Sequence, residues 1–286
     1  MLGSNMTRNV IHPFVSIVLA ASLLSANGLA ARDKSTVGAL SADSHNEMAQ
    51  YLLQLQAEIQ GSLNDQDSLV ADAAEQLSAT GLEGEKAQAV LQKLSSSGFA
   101  EAVTVSRQGT ILIAGPSQYR ASEGADISSQ NVWTSFLKSK SPMQSPVFRL
   151  VEGYDAVALI YPVLSPAGEF VGALSASMRP GEFLGAIIKP RLNGTPYNAW
   201  VMQKDGLILY DVDPSQVGLM LFSDPLYQPY PSLLDIGRKM VAERSGMGSY
   251  YFLNKEHNQN VTKDVYWTTV GLHGNEWRLA IIRVVE

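Results

Sequence analysis

A hairpin pattern that occurs twice constrains the fold of this chain most strongly. Residues 199–218 contain an apolar run, a turn with Asp205 and Gly206, and a second apolar run. An Asp-Gly turn between two apolar runs is typical of a β-hairpin. Residues 102–115 repeat the same order with Gly109 at the turn. The two copies lie roughly 100 residues apart, the length of a small domain rather than of a solenoid repeat. The sequence therefore predicts a duplicated module.

Composition and charge exclude several classes of protein. Of the 286 residues, 45% are hydrophobic and 17% are charged, and the formal net charge is −6. There is no long basic run, so we expect no nucleic-acid partner. The chain has no cysteine, which excludes disulfides, thiolate metal sites and cysteine nucleophiles. A chain of this kind must be stabilised by its apolar core.

The first 30 residues differ in character from the rest. A short positive end precedes a mostly apolar run at 10–24, and small residues precede Ala30. This order is typical of a cleaved signal peptide, and the run is short for a membrane span. We therefore predict a signal peptide at 1–30 and a secreted, periplasmic or cell-surface location, with an uncleaved membrane anchor as the alternative. Residues 31–43 are small and polar, which predicts a flexible leader.

Residues 44–81 are predicted to form one long helix. Apolar residues recur at spacings of three and four, interrupted only at Gln66. Ser44 followed by Glu47 fits a capping box, and Gly81 fits the far end. About 35 residues make a rod of about 50 Å, long enough to follow two stacked domains or to pair with a partner helix. The apolar positions are Met48, Leu52, Leu55, Ile59, Leu63, Val70, Ala73 and Leu77.

Two consecutive segments, 82–184 and 185–286, repeat one order of elements. Each contains a hairpin, a helix and three further strand-like runs, with turn signals between the last strands. Strands that follow one another in this way, with helices between them, are typical of an antiparallel α+β unit. The predicted fold class is α+β, with a long N-terminal helix and two modules that each hold a five-stranded antiparallel sheet and flanking helices.

This order of elements resembles the double Cache sensor domain, an extracytoplasmic relative of the PAS fold. The resemblance covers residues 44–286. It implies two PAS-like modules along one helix and a small ligand bound between a sheet and its covering loops, more often in the first module. It is carried by the long helix, by Gly109 and Gly206 in the two hairpins, by the loop from Asp211 to Gly218, and by Lys263, Trp267, Gly274 and Trp277.

No catalytic or metal-binding motif accompanies this pattern. The four histidines lie far apart in the sequence, and no GxSxG, P-loop or HExxH motif occurs. Asp211 and Asp213 suggest a calcium loop, but Gln216 and Phe222 stand where such a loop needs Gly and Glu. We therefore predict an Asx-stabilised turn at Asp211, and no enzyme activity, metal site or cofactor.

In the first module, polar residues on predicted strands suggest a ligand pocket. Arg149 alternates with apolar neighbours in a strand predicted at 147–151, where a guanidinium favours an anion. The alternative is an exposed Arg149 paired with Glu152 or Asp155. Small hydroxyl residues on a sheet face leave room for a ligand, and aromatic residues supply its walls. The candidate residues are Trp133, Arg149, Tyr154, Tyr161, Ser175 and Ser177.

The second module has an aromatic-rich set with one carboxylate, which suits an amine or cationic ligand. The alternative is that these side chains pack a helix on the sheet. The candidate residues are Tyr210, Asp211, Tyr227 and Trp267.

The resulting hypothesis is an exported, non-catalytic sensor that binds a small anionic or carboxylate-bearing ligand in a PAS-like pocket. The alternative is an interaction module, in which the long helix forms a homodimer or docks on a membrane receptor.

Overall fold

The computed structural model describes residues 34–254 and 259–285, which include nearly all of the predicted elements. The predicted signal peptide at 1–30 lies outside the described residues. The helices are α1 (Lys34–Thr80), α2 (Glu85–Ser96), α3 (Asn131–Ser139), α4 (Pro180–Leu192) and α5 (Pro231–Ala242). The strands are β1 (Glu101–Ser106), β2 (Ile111–Gly115), β3 (Met143–Gln144), β4 (Phe148–Arg149), β5 (Asp155–Leu164), β6 (Phe170–Met178), β7 (Tyr197–Gln203), β8 (Ile208–Asp211), β9 (Gly246–Asn254), β10 (Gln259–Leu272) and β11 (Asn275–Val285).

The long helix α1 buries the predicted apolar stripe. All eight apolar positions, from Met48 to Leu77, are at most 6% exposed. The interruption at Gln66 has a structural reason, because its side-chain amide donates a hydrogen bond to the Ser97 carbonyl at 3.0 Å. Gln66 therefore ties α1 to the end of α2 where an apolar contact is missing.

The start of α1 differs from the prediction. The helix begins at Lys34 rather than at residue 44, so most of the predicted leader is helical. Residues 34–43 contain no proline, and extending a helix that is already formed costs far less than starting one, even across Gly38. Glu47 does not close a capping box; its carboxylate accepts a hydrogen bond from the Tyr197 hydroxyl at 2.9 Å.

The two sheets have the same topology, which confirms the predicted α+β fold. The first has the strand order β2-β1-β6-β5-β3, and the second has the order β8-β7-β11-β10-β9. All neighbouring strands are antiparallel. The strand predicted at 147–151 is shorter than expected, since only Phe148 and Arg149 pair with β5, as the additional strand β4. The module boundaries at 82–184 and 185–286 stay a prediction.

Each sheet packs one face on α1 and the other on a helix of its own. The inner faces of both sheets join α1, α2 and α4 in one shared core. The outer face of the first sheet packs against Trp133 and Phe136 of α3. The outer face of the second sheet packs against Leu233 and Ile236 of α5. The apolar stripe of α1 therefore packs against both modules, whereas the outer face of each sheet packs against a different helix.

The two hairpin glycines are equivalent in structure as well as in sequence. Gly109 and Gly206 have φ values of 89° and 97°, which side-chain-bearing residues rarely adopt. A Cβ on Gly109 would lie 2.8 Å from the Trp133 indole nitrogen, and one on Gly206 would lie 2.6 Å from the Phe222 ring. Each hairpin turn thus requires glycine for both its backbone and the aromatic side chain above it.

Replacing the second hairpin glycine tests this requirement. We expect Gly206→Ala to lower the free energy of unfolding by about 1–3 kcal/mol, because of the positive φ and the clash with Phe222. Gly61→Ala is the matched control: its Cβ meets no atom within 4 Å in the helix α1. That substitution should raise the free energy of unfolding by about 0.5–1 kcal/mol. Urea denaturation of both variants measures the difference, and an equal loss in both would contradict the assignment.

Polar side chains of α1 also bind the second sheet directly. The Gln60 amide donates to the Gly271 carbonyl at 3.1 Å and accepts from the Gly271 N–H at 3.0 Å. Two turns further along, Asp67 accepts a hydrogen bond from Tyr161 of β5 at 2.8 Å and contacts the His273 imidazole at 2.7 Å. Asp67 therefore joins both sheets to the same point on α1.

The Gln60 contact can be removed without touching the apolar core. Gln60→Ala leaves the Gly271 N–H and carbonyl without their partner, and we expect a loss of about 1–3 kcal/mol in the free energy of unfolding. Gln54 is exposed on the same helix, and Gln54→Ala should change it by less than about 0.5 kcal/mol. Thermal unfolding followed by circular dichroism compares the two variants. Equal stabilities would show that the Gln60 bridge contributes nothing.

In the described ranges, no helix has the length and apolar content needed to cross a bilayer.

Candidate functional site

A cavity of about 710 Å³ lies on the outer face of the second sheet. Its sheet wall is aromatic, with Trp200 from β7 and Tyr250 and Phe252 from β9. The opposite wall is formed by Tyr227, in the covering segment between β8 and α5 (residues 212–230), and by Leu233 of α5. This size is within the range of small-molecule pockets, and mostly apolar walls with a few polar groups are their usual lining.

The loop after β8 forms the acidic edge of the cavity. The Asp211 carboxylate accepts a hydrogen bond from the Asp213 N–H at 2.8 Å, and Asp213 in turn accepts from the Ser215 N–H at 3.1 Å. These are the bonds of Asx turns, so the predicted Asx-stabilised turn at Asp211 is confirmed. The turn holds the carboxylates of both Asp211 and Asp213 at the cavity.

A buried hydrogen-bond chain connects this turn to the covering segment. The Tyr227 hydroxyl donates to the Gln216 side-chain oxygen at 3.2 Å, and the Gln216 amide donates to Asp213 at 3.3 Å. Burial raises the pKa of the Tyr227 hydroxyl above its ordinary value, and the negative charges of Asp211, Asp224 and Asp213 act in the same direction. Tyr227 therefore remains a neutral donor at any physiological pH.

Lys263 of β10 also lines the cavity. Its ammonium lies 5.3 Å from the centroid of the Phe252 ring, a cation–π distance. Burial lowers the pKa of the Lys263 ammonium, and the negative charges of Asp211 and Asp213 oppose that shift. Among the described residues, Lys263 has no hydrogen bond or ion pair, so its three N–H donors point at no protein acceptor.

Of the four second-module residues predicted from the sequence, two line the cavity and two are packed in the apolar cores. Asp211 and Tyr227 line the cavity. Tyr210 faces the other side of β8 and packs in the shared core, because neighbouring strand residues point to opposite faces. Trp267 is buried under α5 and donates to the Glu243 carbonyl at 3.2 Å, which fits the packing alternative.

Sequence reasoning did not select Lys263 as a site residue, although a signal was present. Val261, Lys263, Val265 and Trp267 alternate along β10, so a charged residue occupies a position on the apolar face.

The first-module candidates are also divided between the two faces of their sheet. Ser175 and Ser177 pair with Ile160 and Ala158, which places both hydroxyls on the outer face toward α3. Trp133 of α3 packs on that face, and its indole N–H is buried without a hydrogen-bond partner among the described residues.

The two tyrosines predicted beside them differ in position. Tyr154 lies at the start of β5, where its hydroxyl donates to Glu101 at 3.2 Å. Tyr161 lies on the opposite face of the sheet and donates to Asp67 of α1. Tyr161 therefore belongs to the contact between the sheet and the long helix.

Arg149 is exposed and forms a surface ion pair. Its guanidinium lies 3.4 Å from Asp155, and the two side chains are 65% and 62% exposed. The exposed alternative that the sequence left open is therefore the observed one. Arg278 of β11 is the buried counterpart: it donates to the Met240 carbonyl at 2.5 Å and to Glu276 at 3.0 Å. Arg278 thereby satisfies a carbonyl at the end of α5.

The two arginines should respond differently to substitution. Arg149→Ala is expected to change the free energy of unfolding by less than about 0.5 kcal/mol, since exposed ion pairs contribute little. Arg278→Met should lower it by about 3 kcal/mol, because the buried Met240 carbonyl loses its donor and Glu276 keeps only Arg244 as a partner among the described residues. Chemical denaturation of the two variants provides the comparison. A large loss for Arg149→Ala would show that its guanidinium has a partner beyond Asp155.

Within the described residues, no group of three or more His, Asp or Glu side chains is placed to hold a metal ion.

Comparison with known proteins agrees with the fold. Residues 61–180 match the family of HK/GC/chemotaxis protein-like sensor domains. An extracellular ligand-binding receptor from Desulfohalobium retbaense DSM5692 is 33% identical, with a TM-score of 0.70 over 83% of this chain. The match covers 40% of that receptor chain, so this chain spans less than half of its length. No curated protein sequence matches this chain.

Ligand-binding domains of chemoreceptors have the same fold at lower identity. The domain of PctB from Pseudomonas aeruginosa PAO1, in complex with L-Arg, is 18% identical with a TM-score of 0.61 over 85% of this chain and 96% of its own. The domain of CtaA from Pseudomonas fluorescens, in complex with L-serine, is 17% identical with a TM-score of 0.64 over 85% and 98%. These similarities confirm the predicted resemblance to the double Cache sensor domains. The chain is similar to ligand-binding sensor domains.

Proposed function

We propose that this chain is an extracytoplasmic, non-catalytic sensor domain that binds a small anionic ligand, most simply a carboxylate, in the cavity of its second module. The observation that carries the proposal is the Lys263 ammonium, which lines the cavity and meets no acceptor among the described residues. The predicted signal peptide at 1–30 and the sensor-domain fold support the extracytoplasmic location.

A partly buried ammonium whose N–H donors have no protein acceptor among the described residues is well placed to bind an acceptor on a ligand. Removing a charge from water is costly unless hydrogen bonds or an opposite charge compensate for it. The ring of Phe252 and the more distant charges of Asp211 and Asp213 compensate only in part, since the pKa of Lys263 remains lowered by burial. A ligand carboxylate would supply the missing acceptors, and a charge-assisted hydrogen bond of this kind is short and strong.

The remaining walls suggest what the rest of the ligand is like. Trp200, Tyr227, Tyr250 and Phe252 offer flat apolar surfaces beside the ammonium. Aromatic walls of this kind bind apolar or planar groups with a defined geometry. A small carboxylate with an apolar body fits both parts of the cavity.

The first module remains a second candidate site. Ser175, Ser177 and Trp133 share the outer face of its sheet, and the buried indole N–H of Trp133 is a donor available to a ligand. The anionic ligand predicted there from Arg149 has weaker support, because that guanidinium is exposed and paired. The chemoreceptor domains described above bind L-Arg and L-serine, and an amino acid carboxylate is one form of the proposed anion.

The alternative function, an interaction module that pairs through α1, has less support in the described part of the helix. Its exposed face is mostly polar, with Gln50, Asn64 and Asp72 outward, and Leu53 is its one large exposed apolar side chain between residues 45 and 80. Helix pairing in water usually depends on a continuous apolar seam.

Ligand binding can be tested with small carboxylates and their uncharged amides. Acetate, propionate, benzoate and phenylacetate, each beside its amide, form the panel for thermal shift and calorimetry on the full chain. We expect at least one carboxylate to stabilise the protein and its amide to have little effect. Lys263→Met should weaken that binding by about 10–100-fold, the range expected for a lost hydrogen bond to a charged group. Lys263→Arg should retain part of it.

Two controls separate binding from folding. Lys204 is exposed in the β7–β8 turn of the same module, and Lys204→Met should leave the affinity unchanged. Without ligand, Lys263→Met should be at least as stable as the wild type, because a desolvated charge is replaced by an apolar side chain. Carboxylate binding that is equal in wild type and Lys263→Met would overturn the proposed site.

A further inference from the structure

The first module contains a buried pair of carboxyl groups that the proposed function does not use. Glu101, the first residue of β1, is 2% exposed and lies on the outer face of the sheet with Ser177. Its Oε2 accepts a hydrogen bond from the Tyr154 hydroxyl at 3.2 Å. Glu152 lies in the turn between β4 and β5, two residues before Tyr154, and it raises the pKa of the Glu101 carboxyl group through a hydrogen bond and through its charge. The Oε1 atoms of both Glu101 and Glu152 are buried and have no donor among the described residues.

Two carboxylates in this arrangement cannot both be ionised without a large cost. Each is an acceptor only, so their contact places like charges together away from water. One proton between them turns the contact into a hydrogen bond and satisfies both Oε1 atoms at once, as in other carboxyl pairs that share a proton. We propose that Glu101 and Glu152 form a proton-binding site, and that the bound proton holds the turn at residues 150–154 against β1.

The charged groups around the pair are consistent with a retained proton. Arg179, the residue before α4, lies 4.1 Å from the centroid of the Tyr154 ring and 3.9 Å from Glu182. The ring of Tyr119 lies tilted beside that of Tyr154, with ring centroids 6.0 Å apart. Burial raises the pKa of the Tyr154 hydroxyl and keeps it neutral at physiological pH. The two arginines near the turn, Arg149 and Arg179, pair with other carboxylates, Asp155 and Glu182.

The balance of these effects places the loss of the proton just above neutral pH. Burial raises the pKa of Glu101 to about 8, and the hydrogen bond and charge of Glu152 act in the same direction. The hydrogen bond from Tyr154 and the charge of Arg179 lower the pKa by less. A modest rise in pH would therefore ionise the Glu101 carboxyl group and weaken the hold on the turn.

The turn connects to the segment that leads into the second module. Tyr154 is the last residue of the turn, and the Arg179 guanidinium lies over its ring. Helix α4 begins at Pro180, directly after Arg179. Release of the turn would free Tyr154 and, with it, the Arg179 guanidinium that lies on its ring. The proton site is thus placed to make the position of α4 depend on pH.

Stability should depend on pH in a defined direction. The unfolded chain loses the Glu101 proton near its ordinary pKa of 4.5, whereas the folded chain retains it to about pH 8. Between these values the folded state binds more protons, so stability falls as pH rises from about 5 to 8 and then levels off.

Carbon NMR of the glutamate side chains in the full chain tests the site directly. We expect the Glu101 carboxyl signal to titrate with a step near pH 8. The amides of Leu150 and Gly153, which bond within the turn, should lose protection from hydrogen exchange between pH 6.5 and 9, after correction for the intrinsic rate. Titration of the Glu101 carboxyl group below pH 5.5, or unchanged protection of the turn, would overturn the proposal.

A matched pair of variants isolates the shared proton. Glu152→Gln supplies an amide donor to Glu101 at every pH, so the step near pH 8 should disappear and the turn should stay protected at pH 9. Glu182→Gln removes a carboxylate that is exposed and paired with Arg179, and it should leave the step unchanged. The same step in Glu152→Gln as in wild type would refute proton sharing. If Glu152→Gln does not fold, the wild-type titration decides alone.

Discussion

The packing of both sheets on one stripe of α1 is the contact on which the rest of this structure depends. Eight apolar side chains of the helix are buried against inner faces that come from two different parts of the sequence. Polar contacts fix the alignment along that stripe. The Gln60 side chain forms hydrogen bonds with both backbone groups of Gly271. The Asp67 carboxylate accepts a hydrogen bond from Tyr161 of the first sheet and contacts His273 of the second. Apolar burial supplies the stabilisation, and these hydrogen bonds determine which residues lie opposite one another.

Because the inner faces serve folding, the outer faces are where the modules can differ. The outer face of the second sheet has a cavity with an ammonium at Lys263, and the outer face of the first has a carboxyl group at Glu101. Buried ionisable groups of this kind reduce stability when they are charged without partners, and they are concentrated where proteins bind ligands or protons. The equivalent faces of the two modules therefore share one architecture and have opposite chemistry.

The repeated elements could be predicted from the sequence because residues that are buried on one face of a helix or strand recur at a fixed spacing. The stripe from Met48 to Leu77 follows the helical repeat, and the hairpin glycines Gly109 and Gly206 mark turns that require positive φ. The site was harder to predict. Arg149 seemed to interrupt an apolar strand, but that strand is only two residues long and its guanidinium lies in solvent. Lys263 and Glu101 do interrupt apolar faces, yet whether a charge in such a position is buried depends on covering segments far away in the sequence.

The shared core has a consequence for how the domain comes apart. Residues Asp43–Glu286 form one compact unit, and α1 contributes to the inner wall of both sheets at once. Neither sheet can leave the helix without exposing apolar surface that the other one also covers. Unfolding is then a cooperative event of the whole unit rather than the sum of two independent losses. A ligand held in one module would for the same reason protect the backbone of the other, through the energetics of a common core.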